Sequence, residues 1–249
     1  MSARALTLDH VTVDVQRRTV EGRRLGMLRV LDRCCLHVPA GAAMALVGPS
    51  GSGKSAVVDL FAGFLTPHRG LATVNAQPIN GPAPHRGFVQ PTYGLFPWRS
   101  VIDTITFSAG PSGVQQAETL IELVGLAGLA DRPVAHITPT QRHRVAWAKA
   151  LAHDPGVLLL DDPFADLAPG QRAELRQDLI RMHQQAGVTM LFATSDLEEA
   201  VHVADHIAVL SPRPGRVDTL LDVDPTQPLA TVRTVWSALN PPAVLPRAA

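Results

Sequence analysis

The stretch AAMALVGPSGSGKS, residues 42–55, constrains this chain more than any other part of it. An uninterrupted apolar run leads into G-x-x-x-x-G-K-[ST], from Gly48 to Ser55, and KSAVVDLFAGF follows with helical spacing. A strand apolar on both sides must be buried in a sheet, and the helix that leaves it must pack back on that sheet. The glycines let the backbone curl so that several N–H groups point at one spot, where the helix N-terminus adds partial positive charge. Lys54 is then within reach of β- and γ-phosphates, and the Ser55 hydroxyl can ligate Mg²⁺. A Gly-rich turn with an accidental lysine is the alternative, and the strand before and helix after count against it.

A second element agrees. VLLLDD, residues 157–162, is an apolar strand that ends in two carboxylates. Downstream of a phosphate loop, such a strand places its first carboxylate, Asp161, beside the Mg²⁺ site.

The rest of the chain alternates strands and helices. ALTLDHVTV, MLRVLDRCCLHV and AAMALVG read as strands, and LATVNAQPINGP reads as a hairpin with an Asn-Gly turn. Residues 115–130 and 142–153 are expected helices, followed by the strand GVLLLDD, a helix over 171–185, the strand VTMLFAT, the helix DLEEAVHVA and the strand HIAVLS. From 211 onward the chain is Pro-rich and reads as peripheral. This order predicts an α/β fold with a mainly parallel sheet covered on both faces.

Bulk properties exclude other classes. The 249 residues suffice for one large α/β domain. Lys+Arg and Asp+Glu are both 22, so no nucleic-acid partner is expected. The one dense basic stretch, RRTVEGRR at 17–24, reads as a solvated hairpin turn. Cys34 and Cys35 are adjacent, which suits neither a disulfide nor a metal site, and both read as packing residues of a strand in a reducing compartment. His202 and His206 are four apart on an expected helix, but no third ligand stands at a usual spacing, so they read as surface histidines. No signal region opens the sequence, and no window approaches 18 apolar residues. Any membrane association is expected through a partner.

Four further segments, in order, are FVQPTYGLFPW at 88–98, QRHRVAWAKALAHDP at 141–155, LLLDDPF at 158–164 and VLSPRPGRV at 209–217. With the phosphate loop, they make the chain resemble the ATP-binding subunits of ABC transporters over roughly residues 5–216, most of all the nitrate, sulfonate and taurine import group. The resemblance implies a P-loop NTPase domain of the ABC type over 1–216: a mainly parallel core sheet with helices, an N-terminal antiparallel β part and an inserted helical subdomain at about 91–155. Residues 217–249 would be a Pro-rich C-terminal extension. It implies a head-to-tail dimer, homo- or heteromeric, with ATP and Mg²⁺ sandwiched between subunits. One subunit would hold the nucleotide through Gly48, Pro49, Ser50, Gly51, Ser52, Gly53, Lys54, Ser55 and Ala56, the other through Thr138 and Gln141. Ser55, Gln90 and Asp161 would serve the metal, and Asp162, Gln90 and Ser195 the hydrolytic chemistry. The implied partners are membrane permease subunits, a second ATP-binding subunit and, indirectly, an extracytoplasmic substrate-binding protein. They would place the chain on the cytoplasmic face of the membrane.

The same motifs depart from the family pattern. The signature L-S-G-G-Q falls on Ile137, Thr138, Pro139, Thr140 and Gln141. Pro139 offers no N–H to a γ-phosphate, and Thr140 is β-branched where close backbone approach is needed. Thr138 and Gln141 nonetheless have capping-box spacing, with Pro139 at the first helical position. Asp162 stands where the family has its catalytic glutamate, Ser195 replaces the switch histidine, Ala168 the D-loop aspartate, and Val15 the adenine-stacking ring. Ala56 replaces a second hydroxyl. These losses predict an ATP-binding importer subunit with slow hydrolysis; a hydrolysis-deficient pseudo-ATPase acting as scaffold or regulatory half of a heterodimer is the alternative. A DNA-maintenance ATPase of the same superfamily would need a long coiled-coil insertion or a basic face, and the sequence has neither.

Overall fold

A computed structural model describes residues 2–18, 24–90, 94–109 and 113–239. Two sheets organise them. β1 (Leu6–Arg18) and β2 (Arg24–Val38) form an antiparallel pair, and β4 (Arg69–Val74) and β5 (Gln77–Pro78) extend it in the order β2-β1-β4-β5. The core sheet is built from β3 (Ala43–Val47), β6 (Arg86–Val89), β7 (Val157–Asp161), β8 (Thr189–Ala193), β9 (His206–Leu210) and β10 (Val217–Asp222). Its order is β10-β9-β3-β8-β7-β6, all parallel except β10, which runs antiparallel to β9.

The alternation of side chains along each strand divides the interior. In β3, Ala43, Ala45 and Val47 join one apolar cluster while Met44 and Leu46 join the other. β7 does the same with Leu158 and Leu160 against Val157 and Leu159. Both faces of the sheet are therefore dry, as a parallel sheet requires. One face packs on α1 (Lys54–Ala62) and the antiparallel sheet; the other packs on α4 (Pro139–Leu151), α5 (Pro169–Ala186) and α6 (Leu197–Val203). The chain between β6 and β7 carries α2 (Val101–Ala109), α3 (Gly113–Leu123), a 3₁₀ turn at Val134–His136 and α4.

Trp147 of α4 is completely buried in the larger cluster. Trp147→Ala is expected to cost about 3–5 kcal/mol, through lost transfer energy and the cavity left behind. Chemical denaturation should show the midpoint falling with the slope unchanged.

Several expectations need correction. The hairpin joining β4 and β5 turns at Asn75 and Ala76, with φ 47° and 61°, and not at the Asn-Gly pair. A two-residue hairpin turn of this hand needs positive φ at both positions, and Asn75 is fastened there because its Oδ1 accepts from Ala5 N at 2.8 Å. The helix expected to 130 ends at Leu123, because Gly125 takes φ 68° and Leu126 N closes back on Ile121 O at 2.8 Å. Cys34 is buried, its thiol pushed up to about 11 by desolvation, but Cys35 points the other way and is exposed. His202 lies on α6 and His206 on β9, so they share no helix; His206 Nδ1 bonds Asp222 Oδ1 at 2.7 Å. The stretch after 210 is not peripheral throughout: β10 completes the core sheet, and α7 (Pro228–Leu239) buries Val235. Residues 19–23 of the basic stretch lie outside the described residues.

Candidate nucleotide-binding site

The site begins where β3 leaves the sheet. Gly51 and Gly53 adopt φ 77° and 105°, so the backbone from Gly48 to Lys54 coils into a cradle closed to other residue types. Gly48 is needed for a different reason: a Cβ there would stand 2.8 Å from Ser52 Oγ and 2.9 Å from Leu210 O. α1 starts at Lys54 with no side-chain cap, which leaves its first-turn N–H groups available to an anion. Lys54 Nζ donates to Gly48 O at 2.8 Å and Pro49 O at 3.3 Å, holding the ammonium over the cradle. Burial lowers its pKa, and the carboxylates of Asp162 and Asp161 oppose that shift.

The two metal candidates are in contact: Ser55 Oγ donates to Asp161 Oδ1 at 3.2 Å, although 106 positions separate them in sequence. Parallel strands explain this, since β3 and β7 end at the same edge of the sheet with β8 between them. A hydroxyl and a carboxylate beside a phosphate cradle form the oxygen donor set that suits Mg²⁺. Gln90, the third metal candidate, follows β6 directly. The pairing of Val89 with Leu160 sets it beside Asp161 along the same edge, exposed and outside the lining of the cavity.

That cavity has a volume of about 420 Å³. Ser50, Gly51, Gly53, Lys54, Ser55 and Ala56 line it on one side, Asp161, Asp162 and Ser195 on the other. Gly48, Pro49 and Ser52 shape the loop from behind, Ser52 wholly buried. Asp162 has φ 51°, a left-handed conformation that aspartate tolerates better than most residues. Its N–H donates to Ala193 O at 3.0 Å, and burial followed by the Asp161 charge raises its pKa.

Thr138 and Gln141 are not near this cavity within one chain. They form the expected capping box at the start of α4: Thr138 Oγ1 accepts from Gln141 N at 3.2 Å, and Thr138 N donates to Gln141 Oε1 at 2.9 Å. Pro139 is the first helical residue and Thr140 is buried. Ala168 caps α5 without a side-chain hydrogen bond of its own. Val15 sits on β1 opposite Leu28 and is outside the lining of the cavity, which Val30 of β2 joins.

Sequence reasoning missed three participants. Arg213 lines the cavity from the loop after β9. Its segment carried family resemblance, yet nothing in SPRPGR alone assigns that arginine to the loop. Thr194 also lines the cavity, and with Glu199 it lines a neighbouring one of about 600 Å³ shared with Asp162, Ser195 and Arg172. The Thr194 hydroxyl donates to Glu199 Oε2, and Arg172 Nη1 stands 3.5 Å from Asp196 and 3.8 Å from Glu199. Glu199 is 2% exposed, and desolvation pushes its pKa up to about 7.

This makes stability pH-dependent with a definite sign. The folded state disfavours the ionised carboxyl, so the contribution is intact below the ordinary pKa of 4.5 and is lost as pH rises through about 7. The loss is on the order of 3 kcal/mol. Glu199→Gln cannot ionise. Its melting temperature relative to the natural chain is expected to climb between pH 4.5 and 7 and level off above; a flat difference across that window would contradict the burial argument.

A left-handed glycine cradle at the C-terminal edge of a parallel sheet, with lysine, hydroxyl and carboxylate converging on it, defines a P-loop nucleotide-binding protein. The profile of the ABC transporter family matches residues 31–165. Over 193 residues the chain is 38% identical to the taurine import ATP-binding protein TauB of Yersinia pestis bv. Antiqua (strain Antiqua), covering 75% of this chain and 76% of that one. It is 37% identical over 187 residues to TauB of Pseudomonas entomophila (strain L48), covering 73% and 72%. The chain therefore belongs to the ABC transporter family and has the family's ATP-binding domain. Solved cassettes share the fold: cbiO1 of Clostridium perfringens superposes with TM-score 0.75 at 24% identity, covering 95% of each chain, and a nucleotide-free cassette of an ABC transporter with TM-score 0.76 at 20% identity, covering 94% and 95%.

Proposed function

We propose that this chain is the ATP-binding subunit of an ABC importer, which binds MgATP and couples its slow hydrolysis to uptake of a small anion such as nitrate, a sulfonate or taurine. The observation that carries the reading is the Ser55–Asp161 contact beside Lys54, a ready Mg²⁺–phosphate donor set in one cavity. Gly48 to Ala56 would cradle the phosphates. Ser55, Asp161 and Gln90 would hold the metal, and Asp162 with Ser195 would orient the attacking water. Thr138 and Gln141 would face the nucleotide of a second ATP-binding subunit across a head-to-tail dimer. The names of the relatives at 37–38% identity support the import class.

The permease contact is assigned to the helical lobe at about 91–155. There Phe96, Trp98 and Phe107 are exposed together, with Phe96 centroids 5.4 Å from Trp98 and 6.1 Å from Phe107, and Arg99 lies 4.3 Å over Phe107. Clustered exposed aromatics of this kind suit a partner surface. Docking there would hold the chain on the cytoplasmic face of the membrane; no helix among the described residues is long and apolar enough to cross it.

The test is a calorimetric titration of the purified chain with MgATP. Saturable binding that depends on Mg²⁺ is expected, and a flat titration would overturn the reading.

A further inference from the structure

The loop between β9 and β10, residues 211–216, is pinned from two sides. Toward β2, Gly215 N donates to Val30 O at 2.8 Å and Gly215 O accepts from Asp32 N at 3.1 Å, while the Arg216 guanidinium pairs with the Asp32 carboxylate. Ser211 N closes the loop on Arg216 O at 2.9 Å. Toward the phosphate cradle, Gly215 lies so close that a Cβ would stand 2.0 Å from Ser52 O. Only glycine permits that approach. The loop is therefore packed directly on the cradle, and Pro212 and Pro214 flank Arg213.

Arg216 is committed to Asp32, but Arg213 is exposed at the mouth of the cavity. It lines that cavity with Ser50, Gly51, Lys54 and Ser55, and its Nη1 lies 3.9 Å from where a Cβ on Gly51 would stand. Charge makes this position consequential. Asp161 and Asp162 offset the single positive charge of Lys54 within the cavity. With Mg²⁺ held at Ser55 and Asp161, a di- or triphosphate still has oxygens open to a further cationic donor. A guanidinium offers a planar fork of N–H donors that matches phosphate oxygens.

We propose that Arg213 is a phosphate ligand of this site, donating in the same subunit to β- or γ-phosphate oxygens of a bound nucleoside di- or triphosphate. The inference rests on the nucleotide reading above and extends it to a residue outside the phosphate loop. It gives the site a grip on phosphate that does not depend on the altered signature segment.

Calorimetric titrations of the full chain with MgATP, MgADP and AMP test it, with Lys54→Ala as control. Arg213→Gln is expected to weaken MgATP and MgADP roughly 10-fold or more, the scale of a charge-assisted hydrogen bond, and to leave AMP unchanged. Arg213→Lys should fall between, keeping the charge without the fork. Arg213→Gln binding MgADP as the natural chain does, while Lys54→Ala does not, would overturn the proposal and spare the nucleotide reading. An equal loss for AMP would also overturn it, since the arginine would then serve the loop's structure or the nucleoside. No binding by the unmodified chain would overturn the nucleotide reading itself.

Discussion

A chain carrying Asp162→Glu, Ser195→His, Thr138→Ser, Pro139→Gly and Thr140→Gly is expected to release phosphate far faster than its partial repairs multiplied together. On the proposed reading, two defects would act at successive steps. Pro139 would bring no N–H to a γ-phosphate held across the proposed dimer, which would weaken closure of the sandwich. Asp162 is one methylene shorter than glutamate, so its carboxylate sits about 1 Å back, a displacement that can lower the rate on the order of 100-fold. Serine at 195 never carries the charge available to histidine. Because closure precedes chemistry, Asp162→Glu with Ser195→His should leave turnover slow until the signature is repaired. The left-handed backbone at Asp162 bears on this too: glutamate is less at ease there, so that substitution alone should lower stability somewhat. Phosphate release by the purified chain, alone and with the proposed permease partner, is the measurement. Turnover of about 1 s⁻¹ or faster in the unmodified chain would show that these departures are not damage.

Lys54→Ala is expected to abolish MgATP binding. The Lys54 ammonium is the cation at the centre of the cradle, and its loss leaves Asp161 and Asp162 facing the polyphosphate. Losing one charge-assisted contact weakens binding roughly 10- to 100-fold, and the uncompensated carboxylates add to that. Circular dichroism should remain that of the natural chain, because Lys54 bonds only loop carbonyls that the glycine geometry already holds in place. Unchanged affinity would remove the phosphate-loop assignment.

The parts of the site made from contiguous sequence were legible before the fold. A glycine-lysine loop between strand and helix, and an apolar strand ending in two acids, each carry their chemistry in local order. Asp161 was expected beside the Mg²⁺ site, and the parallel sheet brings it against Ser55. The capping box at Thr138 and Gln141 was readable because helix starts are local events. What escaped was set by tertiary packing. Arg213 lines the cavity from a loop whose Gly215 packs against Ser52, and the Glu199 carboxyl is pushed up by its burial on α6, both set by tertiary packing. The hairpin turn was misplaced because the Asn-Gly pair is the stronger local signal, whereas strand register put the turn on Asn75 and Ala76. β10 was hidden by the prolines around it, which mark loops in any local reading.

The capping box at Thr138 has a consequence for the unfolded chain. Proline at the first helical position and β-branched threonine on either side restrict the backbone before folding begins, so less entropy is lost when α4 forms. Two glycines in those places would widen the unfolded ensemble, and fixing each of them costs roughly 0.5–1 kcal/mol more than fixing alanine. A signature that clamps phosphate is thus built from the residues least suited to nucleating a helix. This chain stands at the other end of that exchange: with Thr138, Pro139 and Thr140 the segment ITPTQ favours order, and replacing Pro139 and Thr140 by glycine is expected to lower stability.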